Sequence, residues 1–105
     1  LFTLNAKRNR SNGKEWMPSS ENFRVIIFSA KGGEVWNSSF NMNYMTVVGD
    51  VKPVKVGTTE HYEMLWTGVG NNKQQVPAGT YTAQLIIPAR PIPYTATVDF
   101  EWKGR

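Results

Sequence analysis

From Tyr94 to Trp102 the chain alternates without a break: Tyr94, Ala96, Val98, Phe100 and Trp102 fall on one face of an extended backbone, and Thr95, Thr97, Asp99 and Glu101 on the other. Side chains of a strand point to opposite faces in turn, so this pattern predicts a strand with one face in a core and one in water. Thr80 to Ile87 repeats it with Tyr81, Ala83, Leu85 and Ile87 inward, and Thr59 to Trp66 with Tyr62, Met64 and Trp66 inward. No segment places apolar residues at i, i+3, i+4 and i+7 over three turns. The predicted class is all-β.

Phe23 to Phe28 is different, because Val25, Ile26, Ile27 and Phe28 are apolar on both faces, as in a central strand covered on both sides. Shorter strand candidates are Phe2 to Lys7, Glu34 to Trp36, Asn43 to Val48 and Val51 to Val56, where Pro53 argues for a sheet edge or a bulge. Turn residues fall between them at Gly32-Gly33, Gly49-Asp50, Gly57, Gly68 to Asn72, Pro77-Ala78-Gly79 and Pro88 to Pro93. The expected architecture is an immunoglobulin-like antiparallel β-sandwich of seven to eight short strands, one domain over residues 1–105.

A chain of 105 residues can close one core, and its 40% apolar and 19% charged content is that of a globular protein. Cysteine is absent, which excludes disulfides, thiolate zinc sites and a Cys nucleophile. Four Trp, four Tyr and five Phe must therefore supply the core's bulk. No apolar run approaches the roughly 20 residues that span a bilayer. The chain opens at Leu1, as a mature or trimmed domain would, and bacterial cytoplasm and cell envelope both remain open, with a lean to export. The net charge of +4 gathers at Lys7, Arg8, Arg10 and Lys14. No aromatic side chains interleave with these cations as stacking platforms would, so a solvated turn is expected there and no nucleic-acid partner.

From Phe23 to Ile87 the order of features is an apolar strand, Gly33-Glu34-Val35-Trp36, Ser39-Phe40, Val56-Gly57, Tyr62, Leu65-Trp66 and Val76-Pro77-Ala78-Gly79-Thr80-Tyr81. Over roughly two-thirds of the chain this resembles the BsuPI family of bacterial intracellular proteinase inhibitors, and the Trp to Val-Pro-Ala-Gly-Thr-Tyr hairpin is similar to one in the Ig-like half of flagellar hook-capping proteins. The resemblance implies an Ig-like sandwich that binds proteins. The entry strand, Leu1 to Ala6, is shorter than such domains usually have, which leaves open a first strand missing from the chain or supplied by a neighbour. In the hairpin itself, Pro77 fixes φ, Gly79 is expected at positive φ, and Tyr81 re-enters the strand with its hydroxyl free to tie the corner.

Candidates for chemistry are sparse. His61 is the one histidine, so no His pair or multi-His metal site can form, and alternation places it on the polar face beside Glu63. Met42, Met45 and Met64 are soft donors for Cu(I), but Met64 is expected inward and His61 outward. Asp99 and Glu101 share a wet strand face, about 7 Å apart by strand geometry, and read as solvated charges. No catalytic residue, metal or cofactor is expected.

The remaining segment is Pro88-Ala89-Arg90-Pro91-Ile92-Pro93-Tyr94. Its prolines would hold it extended, with Arg90 and Ile92 projecting, so Arg90, Pro91, Ile92 and Pro93 are the expected protein-contact residues. The alternative is a plain connection in which proline blunts a sheet edge. The expected function is a protein-binding module resembling BsuPI proteinase inhibitors that acts by steric occupation, its partner a protease. The alternative is a structural Ig-like module of a bacterial envelope or appendage protein that contacts neighbouring subunits.

Overall fold

A computed structural model of the chain describes residues 2–8, 15–40, 42–46, 48–52 and 56–103. Their regular structure is six strands and no helix: β1 Phe2–Lys7, β2 Arg24–Ser29, β3 Glu34–Asn37, β4 Thr59–Met64, β5 Gly79–Ile87 and β6 Tyr94–Trp102. They form two antiparallel sheets, one of order β1-β4 and one of order β3-β2-β5-β6. The all-β expectation holds in this form.

Alternation explains where the core lies. Val25 and Ile27 of β2 and Tyr81, Ala83 and Leu85 of β5 are buried, and Leu4, Tyr62 and Met64 of the two-stranded sheet pack onto them. At the centre sits Trp66, just past β4, with ring contacts to Trp36, Tyr81, Phe100 and Trp102 at centroid distances of 5.0–6.5 Å. A smaller cluster of Met17, Val51, Ile87 and Ala89 closes the other end, against Leu4, Ala6 and Tyr62.

Several expectations are corrected. Among the described residues of Asn43 to Val48 there is no strand. Met45 instead exchanges backbone bonds with Ser20, through the Ser20 N–H and the Ser20 hydroxyl, and its side chain and that of Val48 stay exposed because no sheet faces them. Of Val51 to Val56, residues 53–55, including Pro53, lie outside the described residues, and Val51 is buried without belonging to a strand. The outward residues of β2, Ile26 and Phe28, are only half-covered, so β2 is central by its neighbours but not enclosed on both faces. Arg8 does not sit in a solvated turn. It is buried, donating to Glu15 Oε2 at 3.1 Å and to the Val51 carbonyl at 3.4 Å, while Arg10 and Lys14 lie outside the described residues.

The corner before β5 forms as expected in one respect, because the Tyr81 hydroxyl donates to the Pro77 carbonyl at 2.6 Å. Gly79, however, already begins β5 and is not among the positive-φ residues. The glycine that the packing requires is Gly68, at φ +84°, where a Cβ would fall inside the van der Waals surface of the Trp102 ring. Gly32, in the β2–β3 turn, has φ +88° but open space around it.

These two glycines allow backbone strain to be separated from steric exclusion. Gly32→Ala is expected to cost about 1–2 kcal/mol, from the left-handed backbone alone. Gly68→Ala adds the displacement of Trp102 and should cost more, approaching the roughly 3–5 kcal/mol expected for Trp66→Ala. Chemical denaturation of the three variants checks this, and equal midpoints for Gly32→Ala and Gly68→Ala would mean that Trp102 is not held against the turn.

Candidate protein-contact surface

The segment 88–93 joins β5 to β6, and its two halves behave differently. Ala89 is buried, its N–H donating to the Ile87 carbonyl at 2.7 Å, and Arg90 exchanges both backbone hydrogen bonds with Trp16 at 2.8 and 3.1 Å. The Arg90–Pro91 peptide is cis, and residues 91–92 form a bend. The segment is thus a bent tip on an anchored base, not the extended rod expected from its prolines, because the backbone pairing to Trp16 holds its start. The side chains of Arg90, Pro91 and Pro93 are nonetheless exposed, and Ile92 is 76% exposed.

The exposed apolar surface continues from that tip into β6. Tyr94 and Val98 are 37% and 46% exposed, and Ala96 between them is exposed too. All three were expected in the core. Their register opposite Ile87, Leu85 and Ala83 does place them on the core side of the sheet. What is missing is cover, because the opposing sheet has two strands and reaches β6 mainly where Phe2 meets Phe100 edge-on at 5.2 Å. Phe100 and Trp102 are half-buried as a result, and the first half of β6 is open.

Beside that half lies a cavity of about 320 Å³. Its apolar lining is Leu4 and Ala6 of β1, Tyr94 and Ala96 of β6, Ile87 of β5, and Val51. Lys7 of β1 and Thr95 of β6, which belong to the outer faces of their strands, also line it. Its charged lining is Lys7, Arg8 and Lys52, with no carboxylate. Arg8 is engaged by Glu15, whereas no described carboxylate pairs with Lys7 or Lys52.

The other edge of the same sheet is treated differently. Beyond β3, Asn71 accepts from the Asn37 N–H at 2.8 Å through its side-chain oxygen, and its own N–H donates to the Val35 carbonyl. The 68–75 loop thereby caps β3, which leaves β6 as the uncapped edge among the described residues. Sequence reasoning missed this site because Tyr94, Ala96 and Val98 carry the same alternation as a buried face. The one available signal was the short entry strand, too little chain to cover all of β6.

The other candidates disperse. His61 is exposed, its Nε2 at 2.8 Å from Glu63 Oε1 and its Nδ1 at 2.6 Å from the Asn5 side-chain amide oxygen, while Met64 is on the inward face of β4. Met42 and Met45 are exposed in a separate segment. Asp99 accepts from the Thr82 hydroxyl at 2.7 Å, which commits it to the β5–β6 face. Among the described residues no group of three or more His, Asp or Glu side chains could hold a metal ion, and no helix is long and apolar enough to cross a membrane. Comparisons with protein-family models, with curated proteins and with solved structures each found no match.

The Tyr62 hydroxyl donates to the Lys52 carbonyl at 2.9 Å, which fixes the backbone that carries this lysine of the cavity lining. Burial pushes the Tyr62 phenol above its usual value, and the Glu60 carboxylate adds to the effect. A phenol whose folded pKa is raised holds its proton more tightly folded than unfolded. Its contribution is therefore complete below the unfolded value of about 10 and is lost as pH rises through the folded one. Stability measured by denaturation should fall as the pH rises above about 10, and the fall should be shallower in Tyr62→Phe. An identical slope in the two proteins would show that Tyr62 does not carry this loss.

Proposed function

We propose that the chain is a protein-binding module of immunoglobulin-like sandwich type that acts by steric occupation and performs no chemistry of its own, as its resemblance to BsuPI proteinase inhibitors implies. The observation that carries this reading is the apolar strip from Ile92 through Tyr94 and Ala96 to Val98, which begins beside the exposed Arg90. Contiguous apolar surface of this kind is a mark of a contact site, whereas isolated exposed apolar residues are ordinary. The anchored base of the 88–93 loop adds to it, since a loop held in place loses less conformational freedom on binding. In this reading Arg90, Pro91, Ile92 and Pro93 make the contact, with Arg90 the side chain suited to a specificity pocket.

The second reading, a structural module of a bacterial envelope or appendage protein, is favoured by the uncovered half of β6, which a neighbouring subunit would complete. The two readings separate by experiment. Incubating the purified domain with serine, cysteine and metalloproteases is expected to give stoichiometric inhibition of at least one class. Arg90→Ala should weaken inhibition of a trypsin-like target by about ten-fold or more, with the melting temperature within a degree or two, since an exposed side chain contributes little to folding. Failure to inhibit any class would end the inhibitor reading and leave the structural one.

A further inference from the structure

We propose that the groove between β1 and β6 accepts an extended peptide strand from a partner protein, paired along the free edge of β6 and carrying an acidic side chain toward Lys7 and Lys52. The inference rests on the reading of the chain as a binding module, but not on the 88–93 loop being the contact.

Three observations converge on a strand as the occupant. The first is backbone chemistry. Among the described residues β6 pairs with β5 alone and β1 with β4 alone, so both strands that border the groove present an unpaired edge. In an antiparallel ladder alternate residues turn their N–H and C=O groups away from the existing partner, and these are the groups an added strand would take. The opposite edge of the sheet is capped by Asn71.

The second is shape. Tyr94, Ala96 and Val98 form a straight row with a two-residue repeat, about 13 Å long at a rise of about 3.3 Å per residue. The cavity is lined by the first two of them, together with Thr95 of β6 and Lys7 of β1, strands that each have a free edge. A strand laid on this edge would send every second side chain into the groove over Leu4 and Ile87, and the others into solvent. A compact ligand would fill the 320 Å³ at one end but leave Val98 uncovered.

The third is charge. The lining holds cations and no carboxylate, and Lys7 and Lys52 have no carboxylate partner among the described residues. An acidic residue at the end of the strand nearest Tyr94 satisfies them, at a partly exposed rim where charge decides orientation and specificity more than affinity.

The probe is a short capped peptide of alternating valine and threonine that ends with glutamate, which antiparallel pairing to β6 places beside Tyr94, compared with the same peptide ending with lysine. By titration calorimetry the glutamate peptide is expected to bind, and the lysine peptide about ten-fold or more weaker. Backbone amide exchange should slow on the β6 amides that face away from β5. Ala96→Glu, which puts a carboxylate in the groove at an exposed position, should abolish binding with the melting temperature nearly unchanged. Lys52→Glu, which leaves Lys7 opposed by a carboxylate, should remove the preference between the two peptides, and it keeps the test decisive if Ala96→Glu does not fold. Equal affinity of the unaltered protein for the two peptides, or no protection on β6, overturns the proposal. So does binding of laurate in the groove without binding of the peptide, or self-association that protects β6 with no peptide present. Peptide binding without inhibition of any protease removes only the inhibitor reading, whereas inhibition without peptide binding removes only the groove.

Discussion

Trp66 is the contact on which the rest of the structure depends. It lies outside any strand, yet its ring touches Trp36 from β3, Tyr81 from β5 and both Phe100 and Trp102 from β6. Its indole N–H donates to the Val69 carbonyl, which starts the loop whose Asn71 then caps β3. One side chain thus ties the end of the two-stranded sheet to three strands of the other. With no cysteine available, a large ring whose polar atom is satisfied is the physical substitute for a cross-link. Gly68 follows from the same contact, since the turn must pass closely under Trp102 to let Trp66 reach the centre.

The strength of this cluster is also its limit. Aromatic bulk is concentrated at one end of the molecule, where Phe2, Trp66, Phe100 and Trp102 meet. The other end is built from smaller side chains, Met17, Val51, Ile87 and Ala89, against Leu4, Ala6 and the single ring of Tyr62. Ala6 and Ala96 cannot fill the space between the sheets, so a cavity remains where the two free edges come together. The candidate binding groove and the tight aromatic core are two outcomes of one uneven distribution of side-chain volume along β1 and β6.

What was legible in the sequence follows the same division. Strict alternation located β5 and β6 and the burial of Tyr81, Ala83, Leu85 and Ile87, because a strand with one buried face leaves its period in the residues. The Tyr81 tie to Pro77 was legible from local turn chemistry. The openness beside Tyr94, Ala96 and Val98 was not, since a face that points into a core and a face that points into a groove carry identical residues. Whether such a face is covered depends on the width of the opposing sheet. That width depended on Asn43 to Val48, where Met45 gives both its backbone groups to Ser20. Arg8 was misread for a related reason, because its burial depends on Glu15 and on the distant Val51 carbonyl, and neither is visible in a run of basic residues.

The register of β1 against β4, with Phe2 opposite Met64, has a consequence in time as well as in space. The β2–β3 and β5–β6 hairpins close over short connections, whereas the β1–β4 and β2–β5 ladders each bring together positions roughly half the chain apart and bear that loop-closure entropy before any pairing offsets it. The two hairpins should therefore form first, and the ladders β2–β5 and β1–β4 close later. In φ-value terms, Leu85 would report early and Leu4 late. The groove wall contributed by β1 is then among the late parts of the native structure to appear, and the early β5–β6 hairpin displays the whole inner face of β6 before β1 covers its far end.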